Sequence, residues 1–206
     1  MLNYLKISVV ALILSLGWIP MNARSAQEWI DAAARQIITA GSISARFTIS
    51  GGGHSGSGSL SASGKYFAIN AGSTASWYDG KNMWTYSGAS KETTLFTPSA
   101  SELAEVNPLL YIASGSRSYI CSMAKGSTAS RPMINLVPKS RGAGIRKATV
   151  TLNGSTLAPI KMTVTESGGG VVSVSITSFS RGKKLPAKNF VYPKNKYPGI
   201  KIIDLR

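Results

Sequence analysis

Ser76-Trp77-Tyr78-Asp79-Gly80-Lys81-Asn82-Met83-Trp84-Thr85-Tyr86 holds two of the chain's four tryptophans. Asp-Gly between two aromatic runs is a hairpin signal, because a type I′ turn needs positive φ at both central positions. Aromatic residues suit strands. Trp77, Met83, Trp84 and Tyr86 therefore predict a hairpin with large apolar area on at least one face. Core packing in any all-β protein accounts for such a hairpin by itself, so its surroundings decide the fold.

Strand patterns lie on both sides of it. Upstream, Ala45, Phe47 and Ile49 alternate with Arg46 and Thr48, and Phe67 and Ile69 share one face of a strand over Lys65 to Asn70. Between them, Gly51 to Gly58 reads as a Gly/Ser loop. Downstream, Lys91 to Phe96 is a further strand. Ser118 to Ala124, Pro132 to Pro138, Ile145 to Asn153, Ile160 to Glu166 and Val171 to Phe179 continue the series, with Asn153-Gly154 and Gly168-Gly169-Gly170 as turns. Met162 and Val164 share a face, as do Val174 and Ile176. Two segments have helical spacing instead. Trp29, Ala33, Ile37 and Ala40 form one stripe over Ala26 to Ala40. Ser99 to Ser114 predicts two short helical pieces, the second starting at Pro108. Leu109, Leu110, Tyr111 and Ile112 make that piece apolar all round, so it must be covered or cover something. The predicted fold class is α+β, mainly antiparallel β. A strongly curved, unclosed sheet, with an N-terminal helix and a short helical lid, would enclose an apolar cavity.

At 206 residues the chain predicts one domain behind a leader. Lys6, the apolar run Ile7 to Trp18, Pro20 and Ala23-Arg24-Ser25 predict a signal peptide over 1–25, cut just before Ala26, and a domain over 26–206. Formal charge is +15, from 23 basic and 8 acidic residues. Loss of Lys6 and Arg24 would lower it to about +13. Cys121 is the sole cysteine, so no intrachain disulfide forms, and Ile120 and Met123 beside it predict a buried, inert thiol. One histidine, His54, and scattered carboxylates supply neither a nucleophilic triad nor a usual zinc set. No enzyme, metal or cofactor is expected. The basic residues do not interleave with the aromatics as in a base-stacking platform, which argues against nucleic acid. They suit an acidic partner or an anionic membrane surface, and the tail around Lys183, Lys184, Lys188, Lys194 and Lys196 offers such a partner a docking surface.

The order of these segments resembles a known family. A signal peptide without a lipid-attachment cysteine precedes an amphipathic helix and Ala45-Arg46-Phe47-Thr48-Ile49. Then come Tyr78-Asp79-Gly80-Lys81-Asn82-Met83-Trp84-Thr85-Tyr86, Asn107-Pro108-Leu109-Leu110, and Phe190 through Tyr197-Pro198-Gly199-Ile200 to Asp204-Leu205-Arg206. Over nearly the whole mature chain this is similar to the outer-membrane lipoprotein carrier (LolA) family. The resemblance implies a periplasmic chaperone, an unclosed β-barrel with a helical lid. It would bind the acyl chains of lipoproteins released by an inner-membrane ABC transporter and pass them to an outer-membrane acceptor. It also implies a monomer that touches the membrane surface at most transiently. The strand positions implied for the acyl-chain site are Phe47, Ile49, Phe67, Ile69, Trp84 and Tyr86, and the reading of the hairpin adds Trp77. Met162, Val164, Val174 and Ile176 join them by alternation, and Leu109, Leu110 and Ile112 lie on the lid. A one-residue slip would invert any of these faces. Many members place Arg-Pro just before the strand at Tyr66 to Ile69, and that arginine tethers the lid. Ala62-Ser63-Gly64-Lys65 stands there in this chain, which implies a different latch.

Three other expectations stay open at this level. The same fold could carry another amphiphile, a fatty acid or a glycolipid. An exported structural domain would use the aromatic hairpin only as core. A hydrolase of envelope lipids would need His54 or a carboxylate pair assembled by folding.

Overall fold

The computed structural model describes residues 24–140 and 144–206. The signal-peptide expectation lies outside the described residues except for Arg24 and Ser25. Helix α1 (Ala26–Ile38) is followed by β1 (Ser42–Gly51), β2 (His54–Ser63), β3 (Tyr66–Ala71), β4 (Thr74–Tyr78), β5 (Met83–Ser87) and β6 (Glu92–Phe96). Two helices come next, α2 (Ala100–Val106) and α3 (Leu109–Ser118). The chain then forms β7 (Tyr119–Met123), β8 (Met133–Pro138), β9 (Ile145–Leu152), β10 (Pro159–Glu166) and β11 (Val171–Gly182), and ends with two 3-10 turns and β12 (Lys201–Asp204).

Among the described residues all twelve strands belong to one sheet, ordered β12-β6-β5-β4-β3-β2-β1-β11-β10-β9-β8-β7. Every pairing is antiparallel except β12 with β6. The terminal strands β12 and β7 are not neighbours, so the sheet does not close. It does curl: residues of β5 and of β10, six strands apart in the order, line a single cavity. A flat sheet would hold those strands about 29 Å apart, at about 4.8 Å per step.

Helix α1 begins with a capping box. The Ser25 hydroxyl accepts from the Glu28 amide, and the Glu28 carboxylate accepts from the Ser25 amide at 2.7 Å. Cleavage just before Ala26 would remove this cap. The helix buries Trp29, Ile30, Ala33 and Ala34 and lies mainly against α3. Helix α2 repeats the same box with Ser99 and Glu102.

Two local expectations are corrected. Residues of the Gly/Ser stretch belong to β2 from His54 onward and pair with β1 along its length. The reason lies in Phe47, whose cross-strand partner is Gly58. A Cβ on Gly58 would meet Phe47 Cε2 at 2.6 Å, so glycine leaves the ring room to lie across the neighbouring strand. Tertiary packing thus overrides the weak strand propensity of glycine. The Asp79-Gly80 turn is also not a two-residue type I′ turn. Asp79 to Asn82 form a four-residue loop closed by the Asp79 amide donating to the Asn82 carbonyl at 3.1 Å. The Asp79 carboxylate accepts from the Lys81 and Asn82 amides at 2.9 and 2.7 Å, and this side-chain acceptor shapes the turn.

The two faces of the sheet differ. The concave face and the inner sides of α1 and α3 share one core, from Phe47 and Phe67 to Ile112, Leu136 and Val150. A smaller core around Ala75, Trp77 and Tyr192 occupies the convex face of β4 and β5. The C-terminal segment covers that face, with Tyr192 and Tyr197 set edge-on to Trp77 at 5.4 and 5.6 Å.

Candidate functional site between the sheet and the helical lid

The concave face leaves a cavity of about 770 Å³ beneath α2 and the start of α3. Its apolar wall comes from alternate residues of four strands: Phe47 and Ile49 of β1, Ile69 of β3, Val164 of β10, and Val172 and Val174 of β11. The register makes this set continuous. Phe47 pairs with Ile176, Ile49 with Val174, and Met162 with Val174, so the inward residues of β1, β11 and β10 meet side by side. Val106, Pro108 and Tyr111 close it from the lid side.

A second cavity, of about 20 Å³, lies deeper under the lid. Leu109 and Ile112 line it from α3, and Met162 and Ile176 from the sheet. Phe47, Pro108 and Val174 contribute to both, so these three side chains lie between the open space and the packed region under α3.

The other expected residues are elsewhere. Phe67 is buried in the main core, its ring 5.4 Å from that of Tyr78, and lines neither cavity. Leu110 is half-buried and lines neither cavity; its neighbours Leu109, Tyr111 and Ile112 take the buried positions of α3. Trp77, Trp84 and Tyr86 stand on the convex face, among the smaller core under Tyr192 and Tyr197. The cause is strand alternation. Phe67 pairs with Tyr78, so Tyr78 shares its face and Trp77 takes the opposite one, followed by its partner Trp84.

Sequence reasoning missed the polar part of the wall. Where Trp77 and Trp84 point outward, Thr74, Ser76 and Thr85 point inward. Ser76 and Thr85 satisfy one another through a 3.0 Å hydroxyl pair. Glu105 of α2, Glu166 of β10 and Tyr111 of α3 add titratable groups. Burial pushes the Tyr111 phenol up to about 12, and Tyr119, Glu105 and Glu166 reinforce the shift. The period-2 pattern of β4 was the available signal, because residues alternating with an outward tryptophan must face the cavity.

The lid is latched through α1. Gly115 takes φ 55°, ψ −150° inside α3 and kinks it. A Cβ there would meet Asp31 Oδ1 at 2.6 Å. Past the kink, the Ser116 amide and hydroxyl donate to the two Asp31 carboxylate oxygens at 2.8 and 2.7 Å, and Gln27 Nε2 donates to the Ser116 hydroxyl at 3.2 Å. Lys65, at the position before β3, instead lies along Gly80 of the β4–β5 turn. Cys121 of β7 is half-buried, and burial, with Asp31 nearby, raises its thiol against an opposing effect of Lys139. Such a thiol is not activated.

The family model described as "Outer membrane lipoprotein carrier protein LolA" matches residues 17–169. The chain belongs to the LolA family. None of the curated proteins matches it. Solved structures share this fold at low sequence identity. An uncharacterized conserved protein from Thermus thermophilus superposes with TM-score 0.57 at 14% identity, covering 87% of this chain and 98% of that one. A DUF1329 family protein from Desulfovibrio piger gives 0.50 at 12% identity, covering 85% and 100%. A LolA superfamily protein from Nitrosomonas europaea gives 0.47 at 12%, covering 82% and 99%. Identities this low speak to fold alone.

Proposed function

We propose that this LolA-family chain is a periplasmic carrier that binds the acyl chains of lipoproteins and takes them from the inner to the outer membrane. The observation that supports it is the cavity of about 770 Å³ with an aliphatic wall on the sheet and a helical lid above. Its size lies within the range of about 300–1,000 Å³ usual for small-molecule sites. Each methylene removed from water is worth about 0.8 kcal/mol, so an acylated protein crosses an aqueous compartment only with its chains covered. The wall is suited to release as well as to binding. It mixes valine and isoleucine with serine and threonine, and it offers an acyl chain burial without a close-fitting pocket.

Ile49, Val164 and Val174 carry the acyl-chain contact in this mechanism, with Phe47 as the floor. An ATP-driven transporter of the inner membrane would load the carrier and an acceptor at the outer membrane would unload it. No step requires catalysis.

The test is release of a native lipoprotein from spheroplasts into soluble complex with the mature chain. Val164→Arg puts a charge on the aliphatic wall and is expected to lower release at least about tenfold, because a cation displaces the apolar contact that an acyl chain needs. Thr165→Arg, one residue along and on the convex face, is expected to leave release unchanged. Equal release by both variants would sink the cavity's role, and no release by the parent chain would sink the lipoprotein reading itself.

A further inference from the structure

The two edges of the sheet differ. Strand β12 is four residues long and carries Lys201 and Asp204, with Asp204 paired to Arg206 at 2.6 Å. Charges of this kind keep an edge from pairing with another chain. Strand β7, Tyr119-Ile120-Cys121-Ser122-Met123, has no charge, proline or glycine, and its register with β8 runs without a bulge. Among the described residues no strand lies on its outer side.

The ladder with β8 fixes which groups face outward. The Ser118 carbonyl accepts from the Lys139 amide at 3.0 Å, and the Ala124 amide donates to the Met133 carbonyl at 2.8 Å. Antiparallel pairing alternates, so Ile120 and Ser122 also bond to β8, while Tyr119, Cys121 and Met123 turn their amides and carbonyls to the free edge. Beside that edge the convex face is apolar. Ile120 is 61% exposed, and Val137, its partner across the ladder, is 41% exposed.

Positive charge frames the strand. Between Glu105 and Glu166 the sequence holds eight basic residues and no acidic one. Arg117 and Lys139 stand at the start of β7, Lys125 and Arg131 at its end, and all four are exposed. None has an ion-pair partner within 4.0 Å among the described residues. Asp31 of α1, whose charge reaches Cys121, is bonded to Ser116.

We infer that β7 is a docking edge for an extended, acidic segment of a partner protein, which adds a further strand to the sheet. The backbone of that segment pairs with Tyr119, Cys121 and Met123, an apolar side chain lies against Ile120 and Val137, and carboxylates at its two ends meet the two basic pairs. A second copy of this chain is the wrong occupant. Antiparallel β7–β7 pairing sets Arg117 and Lys139 of one copy against Lys125 and Arg131 of the other, between two strongly basic chains. The surface is separate from the acyl-chain site, since no residue of β7 lines either cavity.

Two acetylated, amidated nonapeptides test the edge in the mature chain at low ionic strength: Asp-Glu-Val-Thr-Val-Thr-Val-Glu-Asp, and the same peptide with lysine at every acidic position. The acidic peptide is expected to bind at least about tenfold more tightly than the basic one. It should also slow amide exchange at Tyr119, Cys121 and Met123 and leave β12 unchanged. Cys121→Pro removes one outward amide without touching the β8 ladder, and is expected to weaken the acidic peptide at least about tenfold. Lys125→Glu/Arg131→Glu alters exposed side chains only and is expected to bring the two peptides within about threefold of each other, which keeps the test decisive should the proline variant misfold. Absence of binding, equal binding of both peptides by the parent chain, or protection in the cavity strands instead of β7 would overturn the docking edge and leave the acyl carrier standing. Self-association of the parent chain that protects the same three amides would overturn the acidic partner in favour of a second copy.

Discussion

Asp79 shows how one side chain can fix a turn. Burial by itself would raise its carboxyl, but amide donors from Asn82 and Lys81, the Asn82 side chain and the nearby Lys65 outweigh that and hold it below the ordinary aspartate value. A depressed folded-state value stabilises the fold fully above the unfolded-state pKa. That contribution is lost as pH falls below 3.8 and through the lower folded value. Acid unfolding of the parent chain should therefore include a component that Asp79→Ala lacks. Denaturant midpoints measured from pH 6 down to about pH 2 check this. The parent and variant curves should converge on the acid side, and a constant offset would remove the assignment.

Elements are held together by a few polar contacts placed at kinks. Helix α3 turns at Gly115 because Asp31 of α1 occupies the space where a side chain would stand, and the same carboxylate then accepts from Ser116. Packing between α1 and α3 brings in Ile30, Ala33 and Ile112, all nearly fully buried. Asp31→Ala removes two hydrogen bonds to a charged acceptor, at a cost of about 1.5–3 kcal/mol each at most. Thermal unfolding should show that loss, and amide exchange should quicken in α3 while β9 stays protected. Exchange that quickens everywhere equally would mean that Asp31 supports the whole fold rather than the lid.

Over the whole molecule, the sheet works because its two faces have different covers. The concave face is covered partly by α1 and α3 and partly left open as the cavity. The convex face of β3 to β5 is covered by the tail: Phe190 stacks on Tyr66 at 6.0 Å, and Tyr192 and Tyr197 pack on Trp77 and Tyr86. Deleting residues 187–206 would uncover Trp77 and remove the edge strand β12. We expect a red-shifted tryptophan emission and a loss of more than about 3 kcal/mol, since each buried aromatic contributes about 1.5–3 kcal/mol. An unshifted emission would show that the tail does not shield the hairpin.

Local chemistry determined most of the elements. Alternation of Ala45, Phe47 and Ile49, the helical stripe through Trp29 and Ala33, and the proline before Leu109 fix strand, helix and lid within a few residues, because these patterns follow from backbone geometry alone. The family could also be recognised from the order of those segments. Which face each strand presents was settled only by pairing. Trp77 and Trp84 read as cavity residues because they are large and apolar, but the register with Phe67 through Tyr78 turns them outward, where Tyr192 and Tyr197 from the far end of the chain bury them. The cavity's polar lining was hidden for the same reason: Glu105 and Glu166 lie far apart in sequence and come to one cavity only in the folded chain. Size and hydropathy are properties of a residue, whereas the side of a sheet it occupies is a property of its partners.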